Sequence, residues 1–380
     1  MIAKRTEKIK PFLVMEILEK AYQMEKKGES VIHLEVGEPD FETPKVIKEA
    51  VFDALKAGKT NYTPSLGDLE LRESICRYYL RKYRVVLSPE QIIITSGTSP
   101  ALLLLFAALL NPQEEVIISD PHYACYPNFI EFMQGKVVKI PVYEEDGFQY
   151  RLEKIKKSLS FQTKAILINS PSNPTGTVLS AEKMRSIASY KPYIISDEIY
   201  HGLVYEGEEH SILEFTDKAF VLNGFSKLYA MTGLRLGYLI APQEFIRPMQ
   251  KIQQNLFISA NSVIQRAGIV ALEKAEPDVH HMKKIYNKRR KYMINRLKKL
   301  GFDIKVEPTG AFYVFVKTTH LDKDSYRLAF DILEKAKVGV TPGIDFGQNG
   351  EGYLRFSYAN SIDNIIEGLN RIEKYISFYY

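Results

Sequence analysis

The chain predicts an α/β fold, a mostly parallel sheet covered by helices and followed by a smaller α+β unit. Three observations lead there. From about residue 90 to 240, short β-rich runs alternate with helical stretches. Those runs are almost continuously apolar, as strands covered on both faces are. After Pro242 the alternation gives way to long helical stretches.

In chain order, the first forty residues hold one helical pattern, 13–26, stopped by Gly28, and then the run 31–34, which could join either unit. Strands are expected at 92–95, 116–119, 137–140, 165–168, 193–196 and 220–222. The apolar stretch 101–110 is about half of the roughly 20 residues needed to cross a bilayer and reads as a buried helix. Over 180–190, Ser180 is placed to cap, and Met184, Ile187 and Ala188 share one helical face. Beyond Pro242 come helices at about 243–275 and 278–300, strands at 302–306 and 311–316, and a helix at 324–336. The expected division is a large domain over 45–275 and a small one made of 1–44 with 276–380.

Composition narrows the class. In 380 residues, 45% hydrophobic and 26% charged, with 22 Gly and 18 Pro, there is no collagen-like or disordered signature. A net charge of +5 over that length argues for neither nucleic acid nor an anionic membrane. The basic run from Lys283 to Lys299 carries Ile285, Met293, Leu297 and Leu300 at helical spacing, so it reads as the solvated face of an amphipathic helix. Cys76 and Cys125 are too few for a disulfide framework or a zinc site and suit a reducing compartment, so the cytoplasm is expected. The charged N-terminus is followed by no apolar export segment. The seven histidines show no metal-ligand spacing.

Five clusters could carry chemistry. Thr95-Ser96-Gly97-Thr98-Ser99-Pro100 runs from a strand end into a helix start, where free N–H groups and hydroxyls attract a phosphate or merely cap the helix. Asn169 to Gly176 is a turn-rich segment at the carboxyl end of a strand, where open α/β sheets bind ligands. Asp197, in Ser196-Asp197-Glu198-Ile199-Tyr200, is a carboxylate at the lip of an apolar sheet, costly without a cation or N–H partner, although a helix cap would also explain it. Lys227 lies among small and apolar neighbours, where desolvation lowers an amine's pKa and frees it to attack an aldehyde. Arg235 follows in the strand-like run 234–238. Arg355 sits on the largely apolar alternation 353–358, poised for a ligand carboxylate or for a protein one.

Lys227 with Arg235 eight residues later, Asp197-x-x-Tyr200, and Asn-Pro-Thr-Gly at 173–176 together resemble the class I/II aminotransferases, pyridoxal-phosphate enzymes of the aspartate aminotransferase fold. The resemblance runs from about Gly37 to Ser357. It implies a seven-stranded, mostly parallel sheet in the large domain (fold type I) and pyridoxal 5′-phosphate as cofactor. Lys227 resembles the Schiff-base lysine, which later shuttles a proton between the substrate Cα and the cofactor. Asp197 resembles the partner of the pyridine nitrogen. Asn173 and Tyr200 match the pair that hydrogen-bonds the phenolic oxygen, and Tyr123 the aromatic that stacks on the ring.

The resemblance implies a phosphate site of Gly97, Thr98, Ser99, Ser226 and Arg235; where the family frequently has a serine three residues before the lysine, this chain has Gly224. Tyr62 resembles the tyrosine that reaches the phosphate of the neighbouring subunit, which implies a homodimer with shared active sites. Arg355 matches the arginine that clamps the substrate α-carboxylate, assisted by Gly37 and Asn173. One branch of the family takes dicarboxylates with a second arginine from the neighbouring subunit, and the corresponding stretch here, 253–257, has none, so strict aspartate specificity is not implied, although other branches bind dicarboxylates without that arginine. Phe12, Leu13, Phe257 and Ile258 could line a pocket for an apolar or aromatic side chain. The implied activity is transfer of an amino group from an L-α-amino acid to a 2-oxo acid, 2-oxoglutarate or pyruvate, in two half-reactions. A C–S lyase of the same fold and a non-catalytic cofactor-binding regulatory module are the alternatives.

Overall fold

A computed structural model describes residues 2–7 and 9–380. Its strands, in chain order, are β1 Ile32–His33, β2 Ile92–Thr95, β3 Glu115–Asp120, β4 Lys136–Pro141, β5 Thr163–Asn169, β6 Tyr193–Asp197, β7 Ala219–Gly224, β8 Gly237–Ile240, β9 Tyr313–Lys317, β10 Val338–Gly339, β11 Thr341–Pro342 and β12 Tyr353–Ser357. Seven of them form the main sheet in the order β2-β8-β7-β6-β5-β3-β4. Every pairing is parallel except those of β8, which runs antiparallel to both β2 and β7. Every residue of β2, β7 and β8 is buried, which is why these segments are continuously apolar rather than alternating, whereas the edge strand β4 is mostly accessible.

A three-stranded antiparallel sheet, β11-β12-β9, and a short parallel pair, β1 with β10, lie outside it. The helix Leu13–Glu25 packs against the helix Ser325–Ala336 and against β10 and β11, so the N-terminal segment joins elements from the far end of the chain. Among the described residues no helix is long and apolar enough to cross a membrane.

Four expectations need correction. The single helix over 243–275 is two, Gln243–Leu256 and Ser262–Lys274; the chain turns at Ile258, whose φ is +67°, and restarts where the Asn261 carbonyl oxygen of the side chain accepts from the amides of Val263 and Ile264. No strand forms over 302–306, where only Asp303 bridges to Lys317. Arg235 precedes its strand, which begins at Gly237, and stands in the left-handed region at φ +55°. The basic face of the helix Glu276–Lys299 is not wholly solvated. Arg289 pairs with Asp40 at 2.7 Å, and the buried Arg290 donates to the Pro308 carbonyl at 2.6 Å and pairs with Glu206.

Candidate active site

The parallel strands all end on one side of the sheet, and their carboxyl ends floor a cavity of about 310 Å³. Asn169 and Asp197 are register partners at the ends of β5 and β6. Asp197 is buried; one carboxylate oxygen accepts from the Tyr126 hydroxyl at 2.7 Å and the other from the Ile199 amide at 3.2 Å. Burial pushes its carboxyl up to about 6, against the pull of those two donors and of Lys227. The Asn169 side chain donates to the Asp197 carbonyl at 2.9 Å and accepts the Asn173 amide at 2.8 Å, so one asparagine fixes both the β6 end and the turn above it.

Lys227 follows β7 and points into this cavity, where its amine donates to the Gly37 carbonyl at 2.6 Å. Desolvation lowers the amine from 10.5 to about 8, with Arg355 and Arg235 reinforcing the fall and Glu38 and Asp197 opposing it. About one amine in ten is then neutral at pH 7. Gly37 has no room for a side chain, since a Cβ there would stand 2.0 Å from the Tyr313 hydroxyl.

At one end of the cavity lie Thr98, Ser99, Ser226 and Arg235. Gly97 caps the helix Thr98–Leu109 without a side chain, at φ +99°, and a Cβ on it would come within 2.7 Å of an Arg235 guanidinium nitrogen. The helix amides, three hydroxyls and a guanidinium thus converge on a cradle suited to a phosphate.

At the other end Arg355, on β12, is 2% exposed and has no carboxylate partner among the described residues. Its nitrogens donate to the Asn173 side-chain oxygen at 2.8 Å, the Glu35 carbonyl at 2.6 Å and the Thr341 hydroxyl at 3.1 Å, while Nε is buried with no partner among the described residues. The rings of Tyr313 and Phe346 flank the guanidinium at 4.3 and 4.9 Å. A protein carboxylate does not neutralise it, so the cation is left for a ligand.

Tyr200, buried, shares a 2.7 Å hydrogen bond with the Tyr313 hydroxyl, and Tyr123 lines the cavity between Tyr126 and Phe12. Of the expected site residues, Gly37, Thr98, Ser99, Tyr123, Asn173, Asp197, Tyr200, Ser226, Lys227, Arg235 and Arg355 meet in this one cavity, with Gly97 against Arg235. Tyr62 does not; it is 81% exposed and lies away from the cavity of its own chain. Nor do Leu13, Phe257 and Ile258 line it; Phe12, Val14, Met15 and Leu18 form that wall. Tyr126 and Tyr313 escaped the sequence reading. Tyr313 stands in an aromatic β-run that looks like core, and the only hint of Tyr126 is its place one turn beyond the Asp120-Pro121 segment.

A mostly parallel α/β sheet whose carboxyl edge gathers a desolvated lysine, a buried carboxylate, an anion cradle and a free buried arginine defines a class of site for an aldehyde-bearing, phosphorylated cofactor and an anionic substrate. The donor set fits such a group, with the Arg355 guanidinium, which no protein carboxylate pairs among the described residues, and the Gly97 cradle as its two anion-seeking sites. The family model for aminotransferase class I and II matches residues 29–372, and the chain belongs to that family. It is 45% identical to a (5-formylfuran-3-yl)methyl phosphate transaminase of Methanocaldococcus jannaschii, over 99% of this chain and 100% of that one. It is 42% identical to an aspartate aminotransferase of Pyrococcus horikoshii, over 98% and 96%. The aspartate aminotransferase of Thermus thermophilus solved with maleate superposes with a TM-score of 0.95 at 36% identity, over 98% and 99%. The chain is an aminotransferase with amino-acid and 2-oxo-acid substrates, and its cofactor is pyridoxal phosphate.

Proposed function

We propose that the chain moves the amino group of an L-α-amino acid bearing an apolar or aromatic side chain to 2-oxoglutarate or pyruvate, working as a cytoplasmic homodimer. The observation that supports the donor class is the cavity's inventory of cations. Among the described residues lining it, these are Lys227, Arg235 and Arg355, and the free wall is Phe12, Val14, Met15 and Leu18. With Arg355 on the α-carboxylate and Arg235 on the phosphate, no further cation of this chain lines the cavity to meet a second carboxylate, which weights donor and acceptor alike toward monocarboxylates, and pyruvate over 2-oxoglutarate.

In this reading the Arg355 guanidinium grips the α-carboxylate and so orients the donor Cα–H toward Lys227. Lys227 would hold the cofactor's aldehyde covalently, and its amine, once free, would take the Cα proton and return it. The bound cofactor supplies an electron sink for the bond broken at Cα. Asp197 keeps a proton on the ring nitrogen; a cation opposite it favours the carboxylate that burial disfavours. Asn173 and Tyr200 donate to the phenolic oxygen, and Tyr123 covers the ring. Gly97, Thr98, Ser99, Ser226 and Arg235 hold the phosphate.

Tyr62 would complete the phosphate site of the neighbouring subunit; the 81% exposure of this aromatic side chain supports a surface that a second copy covers. We place the large domain at 45–275 and the small one at 1–44 with 276–380. Containment of the main sheet in the first and the pairing of β1 with β10 support that division.

The test is a donor panel with saturating 2-oxoglutarate or pyruvate. Phenylalanine, tyrosine and leucine are expected to exceed aspartate and glutamate at least tenfold in kcat/KM. Equal or reversed preference would remove the donor class. Sedimentation of the holoenzyme as a monomer would remove the shared site.

A further inference from the structure

The wall of the cavity is the first turn of the helix Leu13–Glu25 with the residue before it, and that turn has no local cap. Phe12, at the cap position, gives no side-chain hydrogen bond to it. The first amides are satisfied from the other end of the chain instead. Leu13 N donates to one carboxylate oxygen of Asp345 at 3.0 Å and Val14 N to the other at 3.2 Å, across 332 and 331 residues. Asp345 sits in the short turn Gly343–Phe346, whose last residue, Phe346, lays its ring 4.9 Å from the Arg355 guanidinium. One turn therefore touches both the arginine that faces the α-carboxylate end of the cavity and the helix that faces its side-chain end.

We propose that Asp345 is a positioning residue that docks the N-terminus of the Leu13–Glu25 helix over the cavity and so sets the affinity for the donor's side chain. Asp345 does not line the cavity, and it acts through Phe12, Val14, Met15 and Leu18, which do. A carboxylate at a helix N-terminus is favoured both by the free amides and by the helix dipole. Burial raises the Asp345 carboxyl to about 6, against the two amides and Arg355, and it remains ionised at neutral pH. The helix is also fastened by the apolar contacts of its buried side, Val14, Ile17, Ala21 and Met24, of which Val14 alone lies in the first turn, and the free amides of that turn are met by Asp345. The step from docking to donor affinity rests on the reading of the cavity given above.

The test uses the holoenzymes of Asp345→Ala and Asp345→Asn, the second retaining one acceptor and the size of the side chain. Hydrogen exchange of the peptide covering 10–18 reports docking without any substrate, and steady-state kinetics with phenylalanine report its consequence. Asp345→Ala should exchange at least tenfold faster over that peptide and raise KM at least fivefold, with kcat within threefold and the cofactor's visible band unchanged; Asp345→Asn should fall between it and the parent. Parental exchange in both variants would overturn the docking. Faster exchange with parental KM would overturn its role in donor affinity. Failure to turn over any apolar donor in the parent enzyme would remove the donor-class reading and leave the exchange result standing.

Discussion

The floor of the cavity is made by neighbours and its wall by strangers. Asn169 and Asp197 end adjacent parallel strands in register and are fixed by hydrogen bonds within the sheet and its connections, and Lys227 follows the next strand, its amine alone reaching out to the Gly37 carbonyl of the N-terminal segment. Phe12, Val14 and Met15 reach the same cavity on a helix whose amides are held by Asp345, more than 300 residues away. The floor is thus a property of a packed core, where displacement means breaking a buried sheet. The wall hangs on a few directional contacts at a helix end, the part of a helix that frays first. Such a division lets the chemistry stay fixed while the side-chain pocket adjusts.

The sharpest test of the floor is Lys227→Ala. Loss of both the covalent anchor and the proton carrier should lower turnover at least roughly 10⁴-fold while the protein stays folded. Transamination at parental rate in that variant, measured as oxo-acid product, would break the assignment. Arg355→Ala comes next. Removing the guanidinium should raise donor KM by about 10² to 10³, equivalent to about 3–4 kcal/mol, for all amino acids alike. A change confined to some donors would place its role on the wall side.

The far end of the wall helix offers a pH test. His33 donates to the buried Glu35 at 2.7 Å and also faces Glu25, the helix's last residue, at 3.3 Å. The hydrogen bond to Glu35 is the main cause that raises the imidazole from 6.5 to about 9. Because the folded value lies above the unfolded one, the stabilisation is complete below pH 6.5 and is lost as pH rises through about 9. The unfolding free energy from denaturant titrations should therefore fall between pH 6.5 and 9 by up to about 3 kcal/mol, and His33→Gln should flatten that slope. Phe12→Ala should have the smallest effect, lowering kcat/KM about 5- to 30-fold for phenylalanine and little for alanine, which does not reach the wall.

How much of this the sequence discloses follows the same division. Asp197, Asn173, Lys227 and Arg235 lie within about sixty residues. Most of them follow directly on an apolar run that can only be a buried strand, and a polar residue at a strand's carboxyl end is visible as such. Tyr313 and Asp345 are not visible, because one sits inside a strand of aromatics and the other inside a turn. Their neighbours in space, Tyr200 and Leu13, are remote in sequence. Arg235 stands out by its charge, but nothing in Leu234-Arg235-Leu236 announces a φ of +55° in place of a strand. Arg290 reads from sequence as a surface residue because a helical charge run does not disclose that Glu206 and the Pro308 carbonyl lie beneath one of its members.

The most direct measurement is the visible absorbance of the purified holoenzyme, with single amino acids added in turn and no oxo acid present. A lysine-bound cofactor band that phenylalanine or leucine abolishes, that aspartate leaves largely intact, and that pyruvate or 2-oxoglutarate restores is the result the account predicts. A band that responds to no amino acid, or one that aspartate alone discharges, would contradict it.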